Sequence, residues 1–178
     1  MLSNETLRFN MDPTGMVEDD VIMEALQKTY LREHFTQGGT TSPAVEPDAE
    51  STVEPVYHDH SILDQKLSSF SELSVGESQL FALCRALVKV HLLRDQGIRP
   101  IILLDEVTSS LDLNTEAAMH NIIDHEFTQK GHTVIVIAHR LGVLSQHARP
   151  GQDVVVRLRE GRFEDVGTDL TGTAKEER

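Results

Sequence analysis

Apolar residues in this chain follow two spacings, and the alternation between them predicts an α/β fold. From Glu18 to Phe35 the pairs Val21/Ala25 and Ile22/Leu26 and the residue Tyr30 recur at i, i+4, with Asp19 and Asp20 at the N-terminal end. That pattern predicts an amphipathic helix. From Gln79 to about Leu93, Phe81, Leu83, Leu87, Val90 and Leu92 fall on more than one face, which predicts a helix buried nearly all round. Asn114 to Gln129 returns to helical spacing, with Ala117, Ala118, Ile122 and Phe127 apolar and His120, Asp124 and His125 forming a solvated face; Gly131 ends it. Two runs, Ile101 to Leu104 and Val134 to Ala138, are almost continuously apolar and read as buried parallel strands. Gly97 and Pro100 close the connection in front of the first. Residues 62–67 predict a short helical lead-in to the serine-rich stretch that follows.

Between Gln37 and His60 the pattern disappears. Gly38-Gly39, three prolines, repeated Ser and Thr, and the absence of Lys or Arg from Glu33 to Gln65 predict a disordered acidic insert, since such a segment buries too little apolar surface to offset its ordering entropy. His58-Asp59-His60 within it lacks the further ligands a metal site needs. Residues 171–178 are expected to be a frayed tail. The composition of the whole 178-residue chain, 39% hydrophobic and 25% charged, is that of one globular domain. A net charge of −13 argues against a nucleic-acid surface. The single cysteine, Cys84, lies in the apolar helix and reads as a small buried hydrophobe in a reducing setting. No apolar run approaches the ~20 residues of a membrane helix, and the N-terminus carries no signal-peptide pattern.

Candidate chemistry gathers at two places. Leu73-Ser74-Val75-Gly76-Glu77 leads into the long apolar helix, and a serine and a glycine at a helix mouth make an anion site: the first N–H groups lack internal partners, the macrodipole adds positive charge, and Gly76 permits close approach. The plainer reading is that Ser74 is an ordinary N-cap. At the second place, Ile101-Ile102-Leu103-Leu104 ends in Asp105-Glu106, so a strand delivers two carboxylates at its C-terminal edge, where open α/β sheets place ligands. The plainer reading there is an acidic pair that ends a strand.

Taken together, these stretches resemble the ATP-binding cassette (ABC) ATPases. Leu73 to Glu77 is similar to the family's signature motif, Ile101 to Glu106 to its Walker B strand, Ser109-Ser110-Leu111-Asp112 to its D-loop, and Thr133 to Arg140 to the strand ending in its switch histidine, here His139. Four motifs in family order are far more specific than any one. The phrase Leu-Ser-Val-Gly, with Gln79-Leu80-Phe81 and Arg85-Ala86-Leu87 beyond, is most similar to the second nucleotide-binding domain of subfamily C, the multidrug-resistance-protein type. The resemblance implies an incomplete P-loop NTPase fold: the start of a helical subdomain over 1–36, a core over 61–170 with a parallel sheet, and a C-terminal β-hairpin over Asp153–Leu158 and Phe163–Val166 with Gly161 at its turn.

It further implies ATP and Mg²⁺ as ligands. Asp105 would orient Mg²⁺ through its water shell, Glu106 would polarise the attacking water, and His139 would touch the γ-phosphate. Ser74, Val75, Gly76, Glu77 and Asp112 would face nucleotide, those of the signature across the interface with a second nucleotide-binding domain. The family's glutamine at the Glu77 position lies near the ribose side, so a carboxylate there removes a donor amide and adds negative charge beside an anionic ligand. Transmembrane domains would be the other partners, on the cytoplasmic face of a membrane. The resemblance places Met1 just beyond the Q-loop glutamine, and no Gly-Lys-Ser/Thr triplet occurs in the chain. An inert interaction module or truncated product, and a chromosome-maintenance (SMC-type) ATPase, are the other classes these motifs admit.

Overall fold

The computed structural model describes residues 4–37, 60–108, 111–138, 149 and 151–167. They form two compact units, Met1–Ile101 and Ile102–Arg178. The insert expected over 37–60 lies outside the described residues except at its two ends, and the tail lies outside them entirely.

The first unit is helical. Leu7–Met11 form α1, Asp19–Lys28 α2, Arg32–Gln37 α3, and Val75–Asp95 the long α4, with two 3-10 turns at Ser61–Asp64 and Leu67–Ser69. The single helix expected over 18–35 is thus two. Thr29 ends α2, where its hydroxyl donates to the carbonyls of Ala25 and Leu26, and Tyr30 takes φ 59° before α3 resumes at Arg32. A left-handed residue costs about 1–2 kcal/mol when it carries a Cβ, and here it redirects the chain so that Leu31 and Phe35 are buried. Phe35 packs edge-on against Phe70 and Phe81, with ring centroids 5.0 and 5.8 Å apart, joining α3 to the loop before α4 and to α4 itself. Around them Leu7, Ile22, Leu26, Leu63 and Val88 complete a closed apolar core.

Helix α4 begins at Val75, four residues before the expected start, and runs to Asp95. The apolar run alone marked Gln79, but the capping chemistry lies upstream of it at Ser74. Cys84 is buried as expected, and burial pushes its thiol up to about 12 despite a hydrogen bond with Thr29. Such a thiol is inert at neutral pH. Upstream, Leu7 N–H donates to the Gln65 carbonyl and Leu67 N–H to the Glu5 carbonyl, so the short bridge between Thr6 and Lys66 ties α1 to the segment leading into α4. Asp12 folds the turn after α1: its carboxylate accepts from the Thr14, Met16 and Val17 N–H groups and from the Thr14 hydroxyl.

In the second unit, Ile102–Asp105 form β1 and Val134–Ile137 form β2, paired in parallel with Ile102 opposite Val134 and Asp105 opposite Ile137. The strands were expected to be buried on both faces, and here they are not. Ile102 and Leu104 are buried, whereas Leu103 is 63% exposed and Ile135 48% exposed, so one face of the sheet is covered and the other open. Among the described residues no third strand joins the sheet, and both outer edges keep unpaired backbone groups. Leu113–Ile123 form α5, which continues as a wider π-helical turn over Asp124–Thr128. His120, expected on a solvated face, is buried. It shares an i, i+4 stripe with Glu116 and one flank with Met119, Ile123 and Phe127, all buried, so the helix turns this edge inward. Val155–Arg159 and Arg162–Gly167 form the expected hairpin, β3 and β4. Its two-residue turn uses left-handed conformations at both Glu160 and Gly161, φ 50° and 75°, the pattern that matches the strands' twist.

Two predictions follow from this architecture. Asp12, Glu77 and Asp112 all have their carboxyls held below the ordinary range. For Asp12 burial alone would act the other way, but the Thr14 hydroxyl and the three backbone donors outweigh it. Depressed carboxyls stabilise the fold above their unfolded values of 3.8 and 4.5, and that stabilisation is lost as pH falls through the lower folded values. The urea midpoint should therefore drop steadily once pH falls below about 4.5, and Asp12→Asn should flatten that dependence while lowering the midpoint at pH 7. Separately, Leu103→Thr with Ile135→Thr should reduce self-association in sedimentation velocity while shifting the thermal midpoint by no more than a few degrees, about 1 kcal/mol or less for exposed positions.

Candidate functional site

Ser74 sits just outside α4 with an extended backbone, and its hydroxyl accepts from the Glu77 N–H at 3.2 Å. The Glu77 carboxylate returns the contact, accepting from the Ser74 N–H at 2.8 Å through Oε2. This reciprocal capping box satisfies two backbone donors of the turn. The Ser78 N–H is satisfied by the Ser74 carbonyl. Among the first four N–H groups of α4, those of Val75 and Gly76 are left with no partner among the described residues, and they stand at the positive end of a 21-residue helix. The sequence reading of Ser74 as an N-cap and its reading as an anion-site residue are therefore compatible.

Glu77 is more tightly engaged than its sequence position suggested. Its other oxygen, Oε1, lies 2.9 Å from Nδ1 of His34 on α3. Bonding with Ser74, through side chain and backbone, is the largest influence holding the Glu77 carboxyl below the ordinary glutamate range, with the His34 charge a smaller one. The carboxylate expected to stand beside an anionic ligand is thus bound on both oxygens to groups of its own chain. His34 itself was not singled out by sequence: it sits 43 residues from Glu77, and only the turn at Tyr30 brings α3 to the mouth of α4.

In the second unit, β1 ends at Asp105 and the chain leaves the sheet at Glu106 with φ 50°. The Glu106 N–H still donates to the Ile137 carbonyl at 3.0 Å, so its backbone remains tied to β2 while its side chain departs from the strand's alternation. A glutamate in this conformation is locally costly, and such strain is found most often where a side chain must be aimed. Both carboxylates are exposed. Asp112 caps α5: its carboxylate accepts from the N–H groups of Asn114 and Thr115 and from the Thr115 hydroxyl, and that hydroxyl is the main influence holding its carboxyl low. Ser109, Ser110 and His139 lie outside the described residues; in sequence His139 follows Ile137 by two positions. The structure thus brings Ser74, Val75, Gly76 and Glu77 together in one unit, and Asp105 and Glu106 together in the other.

Among the described residues no group of three or more His, Cys, Asp or Glu side chains could hold a metal. The hard oxygen donors of Asp105 and Glu106 do suit Mg²⁺, which keeps several waters and needs only one or two protein carboxylates.

No family model matches the chain. Curated proteins do. It is 36% identical over 150 residues to the multidrug resistance protein mrp-7 of Caenorhabditis elegans, a match covering 84% of this chain. It is 35% identical over 143 residues, 79% of the chain, to the ATP-dependent bile acid permease of Saccharomyces cerevisiae, and 31% identical over 137 residues, 76% of the chain, to that yeast's bile pigment transporter 1. The chain spans 8% of the length of each of these relatives. Among solved structures it is similar to a bacterial Atm1-family ABC exporter with ATP bound, at a TM-score of 0.62 and 23% identity, covering 96% of this chain and 24% of that one. Among the described residues no helix is long and apolar enough to cross a membrane. With homologues of this one kind matching most of its length, and a mixed α/β fold that matches an ABC exporter's, the chain belongs to the ABC transporter family, on its multidrug-resistance-protein branch.

Proposed function

We infer that this polypeptide is the signature-to-hairpin part of an ABC nucleotide-binding domain, most like the second such domain of subfamily C exporters. Its work is to bind and hydrolyse ATP jointly with complementary domains and so to drive export. The observation that carries this reading is the end of β1: Asp105 reaches the C-terminal edge of a parallel strand pair, and Glu106 follows it directly, leaving the strand with φ 50°. The open N–H groups of Val75 and Gly76 on α4 support it independently.

Each residue then has a distinct task. Asp105 supplies a hard oxygen toward a hydrated Mg²⁺. When bound, that ion neutralises charge developing on the transferred phosphoryl group. Glu106 orients and polarises the attacking water, and His139 contributes a contact to the terminal phosphate. The amides of Val75 and Gly76, with the helix dipole behind them, face the phosphates of an ATP held by a second domain stacked head to tail on this one. Asp112 fixes the start of α5. Transmembrane domains, reached from the cytoplasmic face, are the load. A non-catalytic module is the second reading, favoured by the lack of any Gly-Lys-Ser/Thr triplet in the sequence. An SMC-type ATPase is disfavoured by the net charge of −13 and by the absence of heptad repeats.

Two measurements test this. The 178-residue polypeptide alone should show no micromolar affinity for MgATP by calorimetry, because the amides and lysine of a phosphate-cradling loop are not in its sequence. In an assembled transporter carrying these residues, Glu106→Gln should retain ATP binding and lower turnover by ~100-fold or more, the usual worth of a general base. Turnover within about twofold of the parent would remove Glu106 from the chemistry.

A further inference from the structure

We propose that His34 is a positioning residue for the signature turn, holding the Glu77 carboxylate back against Ser74 so that the open amides of Val75 and Gly76 face an anion without a competing negative charge. The proposal deepens the functional reading above and rests on it for the identity of the anion.

The geometry defines the contact closely. An ionised carboxylate only accepts hydrogen bonds, so the 2.9 Å separation from Glu77 Oε1 requires His34 Nδ1 to carry the proton and donate. The other nitrogen, Nε2, lies 3.2 Å from the Ser71 carbonyl oxygen and 3.3 Å from the Ser71 hydroxyl oxygen. Ser71 therefore offers both an acceptor and a donor. A protonated ring donates from Nε2 to the carbonyl, and a neutral ring accepts there from the hydroxyl. In either charge state Nδ1 keeps its proton toward Glu77, so the link does not depend on histidine ionisation.

The surroundings add nothing that competes. On α3, Arg32 is turned toward Gln27, and among the described residues the side chains of Glu33 and of Glu72, in the loop before α4, make no hydrogen bond or ion pair with the ring. On α2, Glu24 is paired with Lys28. Among the described residues Glu77 is thus the one ionisable group bonded to the ring. The side chain of His34 is largely buried, and its ring meets Phe35 edge-on at 5.1 Å, which anchors it to the aromatic core. Without the histidine, Glu77 would keep one bond to Ser74 N–H but lose the restraint on Oε1, and the charge would be free to swing toward the neighbouring amides.

Two substitutions separate the two ends of the ring. Asn places an amide N–H₂ near the position of Nδ1, so His34→Asn keeps the donor to Glu77. Gln places it near Nε2, so His34→Gln keeps only the Ser71 side. In the 178-residue chain, urea midpoints should rank wild type close to His34→Asn and above His34→Gln, and that difference should vanish when each is combined with Glu77→Gln. Equal midpoints for Asn and Gln, or a difference that persists in the Glu77→Gln background, would overturn the positioning role. The functional arm uses inorganic pyrophosphate, followed by the amide resonances of Val75 and Gly76. Wild type and His34→Asn should show shifts at least about threefold larger than His34→Gln at the same concentration. Equal shifts in all three would overturn the claim that His34 clears the amides for an anion. Absence of shifts in every variant, with the midpoint ranking intact, would instead refute the phosphate reading of the turn and leave the His34–Glu77 link standing.

Discussion

The structure depends on how the first turn of α4 satisfies its backbone donors. A helix of this length begins with N–H groups that have no internal partner, and here they are divided. Ser74 and Glu77 cap each other, Ser78 is bonded to the Ser74 carbonyl, and the N–H groups of Val75 and Gly76 are left open. The division needs the carboxylate fixed, and that fixing comes from outside the helix, from His34 on α3. The surrounding core serves this arrangement. Phe35, one residue beyond His34, packs between Phe70 and Phe81, so the same aromatic cluster sets the position of α3, of the loop before α4 and of α4 itself.

The second unit solves a different problem, aiming acidic side chains from a short strand. The parallel pairing of β1 with β2 brings Asp105 level with Ile137, and Glu106 stays bonded to β2 through its backbone while its φ of 50° turns its side chain out of register. Two strands form a marginal sheet on their own. The open face at Leu103 and Ile135 is the apolar surface that a further layer of protein would cover.

Much of this was legible in the sequence wherever one signal dominated. The apolar runs located β1, β2 and α4, and turn chemistry located the hairpin. Readings went astray where a tertiary contact overrode a local pattern. The periodicity over 18–35 is continuous through Tyr30, and only the burial of Leu31 and Phe35 explains why the chain accepts a left-handed residue there. His120 and Glu116 look solvated by residue type yet are buried, although their spacing from Ile123 and Phe127 carried the clue. Continuous apolar strands suggested burial on both faces, while the described part of the sheet is covered on one. At the candidate site, Ser74, Gly76, Asp105 and Glu106 stood out by motif. His34 carried no motif at all, since its role exists only through a contact across 43 residues.

The central claim is that the N-terminal turn of α4 completes an ATP site belonging to another domain. Its most direct test pairs the 178-residue chain with a nucleotide-binding domain from a homologous exporter that keeps its own phosphate-cradling loop, Walker B acids and histidine but has its signature serine replaced. ATP turnover would be measured as the chain is titrated in, with the chain's own Gly76→Asp variant as control. The account predicts turnover that rises with added chain, saturates, and is absent with Gly76→Asp. Turnover that stays at the level of the partner alone, or that rises equally with the Gly76→Asp chain, would contradict it.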